Sequence, residues 1–452
     1  MEVFDDRRGS AVMVAAFLAL LYVGVTLISL GPRSISLQGS LMSWTHSTAP
    51  SLTQAHVSIT CDRPPRDYDL CSINGSSLLD PNSSTFFIMD PNRSNQTDVV
   101  MKIHPYPRKK DKTAISLVKE INIVATPPKV PCGVTHNSPA LVFSTGGYTG
   151  NFFHDLNEGL IPLYITVQTI FYDQDIILVI SDWRERWFRK YADLLLHLTH
   201  HPVINMDNQT ATHCFPSVTV GLIKHGAMVI NTTMVPHPKT LVTFQELLQN
   251  AYSNTSNTLG LDNIDLEKHK SSSARPRLVI IQREGAGAGR VILNIEEVTA
   301  VSEEVGFEVE VLKPRQSSRL ADSYRLIHGS HAMIGVHGAG MTHLFFLRPG
   351  SVLGQIIPLG TEFVSWDCFE KPARVLGLRY SKYEIEVAES SLIEKFKVDE
   401  LVLKNPKAYV GGNWSNMHVY MRVQNVKLDI PRFRRFLKRV YENAREFMDK
   451  GY

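Results

Sequence analysis

A chain of 452 residues, 43% hydrophobic and 20% charged, has ordinary globular composition and room for two or three domains with sizeable cores. Its net charge of +3 is too small to argue for nucleic acid, and no basic stripe interleaved with aromatics stands out. The five cysteines form no CxxC pair and no His/Cys cluster with metal-site spacing, which excludes structural zinc; no metal site is expected.

The N-terminus reads as a membrane segment. Ala11 to Leu30, AVMVAAFLALLYVGVTLISL, carries no charge and is long enough to cross a bilayer as a helix. No small-residue cleavage site follows closely, so an uncleaved signal anchor is expected at 11–31. Arg7 and Arg8 outweigh Arg33, which puts the tail at 1–10 in the cytosol and the rest of the chain in a lumen. Eight Asn-x-Ser/Thr sequons fit that location: Asn74, Asn82, Asn92, Asn95, Asn208, Asn231, Asn254 and Asn413. Cys61 and Cys71 are a candidate local disulfide, leaving an odd thiol among Cys132, Cys214 and Cys368.

Residues 32–57, rich in Ser, Thr and Gln, read as a stem, and the pattern from 58 to about 135 is irregular. At 140 the character changes. ALVFST predicts a strand, NFFHDLNEGLIPLYITVQTI a helix and DIILVIS a strand; a Trp- and Arg-bearing amphipathic helix and the strand SVTVGLI follow. A polar stretch over 253–276 reads as a linker or exposed loop. The alternation then resumes with strand RLVIIQR, helix NIEEVTAVSEEVG, strand FEVEVLK and helix SRLADSYRLIHG, before strands AMIGVH and SVLGQIIP. An amphipathic helix after Pro431 closes the chain. The expected organisation is an acceptor-side α/β domain at 58–265, a Rossmann-like nucleotide-sugar-binding domain at 266–428 and a C-terminal helix at 429–452. Two such domains place a cleft between the carboxyl ends of their strands, the GT-B architecture.

Chemistry-bearing residues gather at predicted strand ends. IGVHGAGMTH puts Gly338, Ala339 and Gly340 at a strand-to-helix turn, where small residues let backbone approach an anion. Arg283 ends a predicted strand, and Arg290 follows a Gly/Ala loop; two guanidinium forks suit a diphosphate. Glu362, after VLGQIIP, is placed to accept from ribose hydroxyls. In the first domain STGGYTGNFFHDLNEG concentrates Tyr148, Asn151, His154, Asp155 and Glu158 behind a strand end. His154 and Glu158 share a helix face, and the cluster can furnish a general base: Asp155 first, then His154, then Glu158. Asp173-Gln174-Asp175 is a formal DxD, but it precedes a strand and reads as a solvated turn. A metal-independent reaction is therefore expected. No G-x-S-x-G accompanies the HGAG turn, and neither a Walker A loop nor a full G-x-G-x-x-G occurs, which removes serine hydrolase, nucleotide hydrolase and dinucleotide redox readings.

FSTGGYTGNFFHDLNEGLIPLYITV, RVILNIEEV and IGVHGAGMTHLFFLRPGSVLGQIIPLG together resemble glycosyltransferase family 61, particularly its grass xylan-modifying branch. The likeness covers roughly residues 85–450. It implies a single-pass type II Golgi protein and an inverting GT-B enzyme that moves xylose or arabinofuranose from a UDP-sugar to xylan, with no cofactor. On the donor side it implies Arg283, Arg290, His337, Gly338, Ala339, Gly340, Thr342 and His343; Tyr148 and Asn151, from the first-domain cluster, are expected on the acceptor side. Homo- or hetero-oligomers with other xylan enzymes are compatible with that reading. The rival is a non-catalytic Golgi subunit that binds glycan or scaffolds a xylan synthesis complex.

Overall fold

Continuous apolar runs make the central strands of two sheets. The computed structural model describes residues 58–65, 67–89, 100–253, 274–284, 288–315 and 317–451. The expected tail, anchor and stem lie outside the described residues, as do 254–273, the three loop residues 285–287 and the sequons Asn92, Asn95 and Asn254. Among the described residues no helix is long and apolar enough to cross a membrane.

The first sheet has ten strands: β1 (Ser58–Asp62), β2 (Leu70–Asp80), β3 (Thr85–Ile88), β4 (Val100–Ile103), β5 (Ile121–Val124), β6 (Val134–Thr135), β7 (Ala140–Ser144), β8 (Ile177–Ser181), β9 (Ile204–Asn205) and β10 (His213–Val220). Their order is β4-β5-β3-β2-β10-β7-β8-β9, with β1 added on β2 and β6 on β10. The half formed by β10, β7, β8 and β9 is parallel, as the βαβ pattern predicts. β7 and β8 are buried along their whole length, which is why both read as unbroken apolar runs. The other half is mixed, with β2 antiparallel to β1, β3 and β10. It comes from the stretch that looked irregular: most of its strands span four or five residues, too few to display an alternation.

The second sheet is wholly parallel: β11 (Arg277–Ile281), β12 (Glu308–Leu312), β13 (Ala332–Val336), β14 (Val352–Ile357) and β15 (Arg379–Glu384), ordered β12-β11-β13-β14-β15. β13 and β14 are wholly buried, whereas the edge strands EVEVL and RYSKYE mix charged and apolar residues. In this order the winding reverses between β11 and β13, so the loops after those two strands open a crevice at the carboxyl edge.

Helices Ile295–Val305 and Ile430–Asp449 cover one face of the second sheet through Val298, Val301, Phe433 and Phe436. The other face joins the first sheet in a single apolar core. Leu141, Phe143 and Leu178 from the first sheet and Val279, Met333 and Leu353 from the second belong to it, bridged by Phe244, Phe345 and Phe346. Each buried phenylalanine contributes about 1.5–3 kcal/mol. The sheets fall on either side of the polar break, and residues 55–452 form one compact unit. The last helix is capped by Asp429, whose Oδ1 accepts from the Arg432 amide at 2.7 Å.

Cys61 and Cys71, paired across β1 and β2, are disulfide-bonded. A second disulfide, Cys132–Cys214, makes Cys368 the odd thiol. The DxD acids occupy a turn before β8, where Asp175 Oδ1 accepts from the Ile176 and His200 amides, each at 3.1 Å.

Candidate functional site

β13 ends at Val336, and the chain turns through His337 and Gly338 into a 3-10 helix, Ala339–Phe346, tighter than the helix expected there. Gly338 has φ +147°, and a Cβ on it would lie 2.7 Å from Arg283 Nη1 and 2.9 Å from Arg290 Nη1. Two guanidinium groups cross this turn, and only a glycine leaves them space. Arg283 donates from Nη2 to the Ala288 carbonyl, and Arg290 from Nη1 to the His337 carbonyl, both at 2.9 Å. Arg290 holds φ +59°, a left-handed conformation that costs a non-glycine residue about 1–3 kcal/mol and persists where neighbours over-determine it. Its amide donates to the Gln424 carbonyl, and the next amide, of Val291, donates to Asn425 Oδ1 at 3.0 Å.

The arginine pair is electrostatically incomplete. Both Nε atoms are buried without a hydrogen-bond partner among the described residues. Burial, then the charge of Arg422, pushes Arg283 below its usual pKa; burial, then Arg283 and Arg422, pushes Arg290 down to about 9. Buried like charges with unused donors are costly until an anion joins them.

The histidines of the turn are neutral. Burial, then Arg290 and Arg283, holds His337 far below the usual imidazole range. Its Nδ1 contacts Ser365 Oγ at 3.0 Å and Gln355 Nε2 at 3.2 Å, so it serves the site through the carbonyl that grips Arg290. His343 Nδ1–H donates to the Gly340 carbonyl at 2.8 Å, and burial brings its pKa to about 4. Thr342 is fully buried, and its Oγ1 has no partner among the described residues. Glu362 is exposed at the start of the short helix Glu362–Ser365, its Oε1 accepting from the Gly360 amide at 3.3 Å.

On the first sheet, the loop after β7 leads into helix Phe152–His154 and then a π-helical segment, Asp155–Leu160. Such segments recur at functional sites, and no sequence signal announces this one. Glu158 is wholly buried and ionised. Burial alone would raise its pKa, but Lys224, His154 and Arg108 bring it down to about 2. Its Oε1 accepts from Lys224 Nζ at 2.9 Å and Arg108 Nη1 at 3.0 Å; its Oε2 lies 2.8 Å from His154 Nδ1. Glu158 thereby fixes the His154 tautomer with the proton on Nδ1, leaving Nε2 as an acceptor, with 22% of the side chain exposed. Tyr148 packs on His154, ring centroids 4.9 Å apart, and donates to Asp111 at 3.0 Å.

Asp155 does not fit its expected place as first-choice base. It is buried, with Oδ1 accepting from the Gly150 amide at 2.7 Å and Oδ2 from the Tyr191 hydroxyl at 2.8 Å. Both oxygens are occupied in fastening the loop. One position along a helix turns the side chain about 100°, away from the His154 face.

Between the sheets lies a cleft of about 300 Å³. Asn151, Phe152 and Lys190 line it from the first sheet's side, and Gln282, Arg283, Ala339, Gly340 and His343 from the second's. Asn151 also caps the helix, accepting from the Phe153 amide at 3.0 Å. His154 is not among the residues lining this cavity; its neighbour Phe153 packs on Phe369, which packs on His337. Sequence reasoning missed Lys190, Arg108, Lys224 and Arg422, each lying outside the motifs whose spacing carries a signal.

Over residues 150–354 the sequence matches the family Glycosyltransferase 61. That span runs from the loop before His154 through both arginines and the glycine turn into β14. The chain is 34% identical over 410 residues to Xylan glycosyltransferase MUCI21 of Arabidopsis thaliana, covering 88% of this chain and 82% of that protein. It is 34% identical over 385 residues to Alpha-1,3-arabinosyltransferase XAT3 of Oryza sativa subsp. japonica, covering 85% of this chain and 65% of that one. With Beta-1,2-xylosyltransferase XYXT1 of the same rice it shares 29% identity over 394 residues, 83% of this chain and 82% of that protein. Similarity this extensive, spanning both sheets and the arginine-crossed turn, means that the chain belongs to glycosyltransferase family 61.

Proposed function

We propose that this glycosyltransferase transfers a pentose, xylose or arabinofuranose, from a UDP-sugar to the xylan backbone with inversion at the anomeric carbon. The observation that carries the reading is the convergence of Arg283 and Arg290 on Gly338, with buried donors unused, at the crevice between β11 and β13. A diphosphate has the charge and the acceptors those donors lack. Two α/β halves meeting at that crevice support a GT-B arrangement, with the donor on the second half. Xylan as acceptor is supported by the relative named as a xylan glycosyltransferase, and a pentose donor by those named as arabinosyl- and xylosyltransferases. The sequence pattern at residues 1–57 supports anchoring by one helix with the body in a lumen, and the family likeness supports the Golgi as that compartment.

Chemically, an acceptor hydroxyl attacks the anomeric carbon from the face opposite the diphosphate. The bond from that carbon to the β-phosphate oxygen breaks, and its electron pair moves onto UDP. Guanidinium donors beside that oxygen stabilise the growing charge, about 2–4 kcal/mol per well-aligned contact. The arginines supply this charge without a divalent metal. His154 Nε2 takes the acceptor proton while Glu158 steadies the imidazolium.

The test is incubation of purified protein with UDP-xylose or UDP-arabinofuranose and xylo-oligosaccharides, followed by linkage mapping. One donor should be transferred, and Arg283→Ala and Arg290→Ala should each lower kcat/KM by roughly 10²-fold or more. Unchanged rates in both variants would move the phosphate site elsewhere. No transfer and no acceptor-dependent release of UDP with either donor would leave the non-catalytic subunit as the better reading.

A further inference from the structure

We propose that Lys190, from the first sheet's half, binds the same diphosphate as Arg283 from across the cleft and neutralises charge on the departing UDP. The inference rests on the UDP-sugar reading above.

Lys190 belongs to helix Glu185–Leu195, which follows β8 and buries Trp187, Tyr191, Leu194 and Leu195 against the core. Its ammonium does not run out to solvent. Nζ lies 4.6 Å from the centroid of the Phe152 ring and 5.6 Å from that of Tyr191, and the side chain lines the cleft with Arg283, Gly340 and His343. Phe152 in turn packs on His343, ring centroids 4.6 Å apart, so the ammonium stands where the two halves touch.

A lysine held in such a place usually has a carboxylate partner. Among the described residues Lys190 makes no ion pair. The acid whose charge reaches it is Asp155, and both Asp155 oxygens are taken by the Gly150 amide and the Tyr191 hydroxyl. At the far rim Glu284 is neutralised by Arg315 at 3.0 Å and Lys313 at 3.2 Å. The cleft therefore holds two cations on opposite walls, each short of an anion. Aromatic faces hold the ammonium in position at low solvation, so it is pre-set for a ligand and little reorganisation remains. As the anomeric carbon–oxygen bond breaks, the electron pair settles on the β-phosphate oxygen beside this charge. Lys190 gives up no proton, since the acceptor's proton leaves on His154. A diphosphate gripped from both walls also ties the two halves together during the reaction.

Lys190→Met keeps the unbranched stem and its packing on Phe152 but removes the charge; Lys190→Arg keeps the charge. Calorimetry with UDP and with uridine, alongside kcat and KM for the donor, separates the roles. The Met variant should melt within a few degrees of the wild type, bind UDP roughly 10-fold more weakly and bind uridine as before. Its kcat should fall by roughly 10²-fold, and the Arg variant should stay within a few-fold of the wild type in all readouts. Wild-type UDP affinity and turnover in Lys190→Met would overturn the inference while leaving the donor site at Arg283 standing. Equal losses of UDP and uridine in the Met variant would make Lys190 a packing residue and overturn it as well. If the wild type itself binds no UDP, the donor reading falls and this inference with it.

Discussion

Glu158 Oε2 lies 2.8 Å from His154 Nδ1, one helical turn away, and two cations, Arg108 and Lys224, hold Glu158 ionised at zero exposure. A buried carboxylate that orients an imidazole and leaves its second nitrogen free is the arrangement a general base requires. His154→Ala should therefore lower kcat by roughly 10²–10⁴-fold with UDP affinity within a few-fold of the wild type. The informative comparison is His343→Ala, because His343 lines the cleft with the same neutral tautomer. Burial brings its pKa to about 4, which makes it a weak base. Normal turnover in His154→Ala together with loss in His343→Ala would put the base on the opposite wall.

Gly338→Ala tests the donor site without replacing a charged group. The added methyl would stand 2.7 Å and 2.9 Å from the two guanidinium groups, on a backbone at φ +147° that side chains rarely adopt. At least one arginine has to move. Donor KM should rise by 10-fold or more, since misplacement on the order of 1 Å costs about 10²-fold. Unaltered donor kinetics would mean that the arginines do not act at this turn.

What could be read from the sequence follows the reach of each signal. β13 and β14 are long apolar runs, so the second sheet and its glycine turn stand out; Arg283, Arg290 and Gly338 are identifiable because type and strand-end position coincide. The i,i+4 spacing of His154 and Glu158 correctly predicts their contact. Asp155 misleads because adjacency in sequence says nothing of which way a helical side chain points, and here Tyr191 draws it inward. Arg108 and Lys224 are 50 and 66 residues from the glutamate they neutralise, in loops without pattern. Lys190 sits between Arg189 and Tyr191 on an amphipathic helix, and only the packing of Phe152 shows that it faces the cleft.

Acid should destabilise the fold in two stages. Burial brings His331 and His343 to about 4 from 6.5, so the unfolded chain takes up protons first. Their contribution is complete above pH 6.5 and lost between 6.5 and 4. Glu158, at about 2 instead of 4.5, contributes fully above pH 4.5 and loses that contribution as pH falls towards 2. Urea midpoints should decline from pH 7 to 5 and more steeply below 4.5. A flat profile down to pH 4 would contradict the histidine assignments, and no further decline between pH 4.5 and 2 would contradict that of Glu158.

The lumenal reading predicts N-glycans. Asn74, Asn82, Asn208 and Asn413 are exposed, whereas Asn231 is half-buried with its Oδ1 accepting from the Thr233 amide and hydroxyl. Glycosidase treatment of protein from intact Golgi membranes should increase its mobility on a gel, with Asn231 the least occupied of these five. No shift would remove the lumenal placement.

The two disulfides should differ in value to the fold. Cys61–Cys71 closes a loop with a sequence separation of 10, and Cys132–Cys214 one of 82. Loop-closure entropy predicts about 2.7 kcal/mol for the first and about 4.5 kcal/mol for the second. The longer link also anchors the two-residue strand β6 to β10, where the His136 amide donates to the Cys214 carbonyl at 2.9 Å. The shorter one joins residues that β1–β2 pairing already holds opposite each other. Cys132→Ser/Cys214→Ser should therefore lower the urea midpoint clearly more than Cys61→Ser/Cys71→Ser, by a stability difference of roughly 2 kcal/mol. Both variants are compared under non-reducing conditions, with Cys368 retained. Equal losses, or a larger loss from the shorter link, would mean that local packing of β1 on β2, and not loop entropy, sets the contribution of each bond.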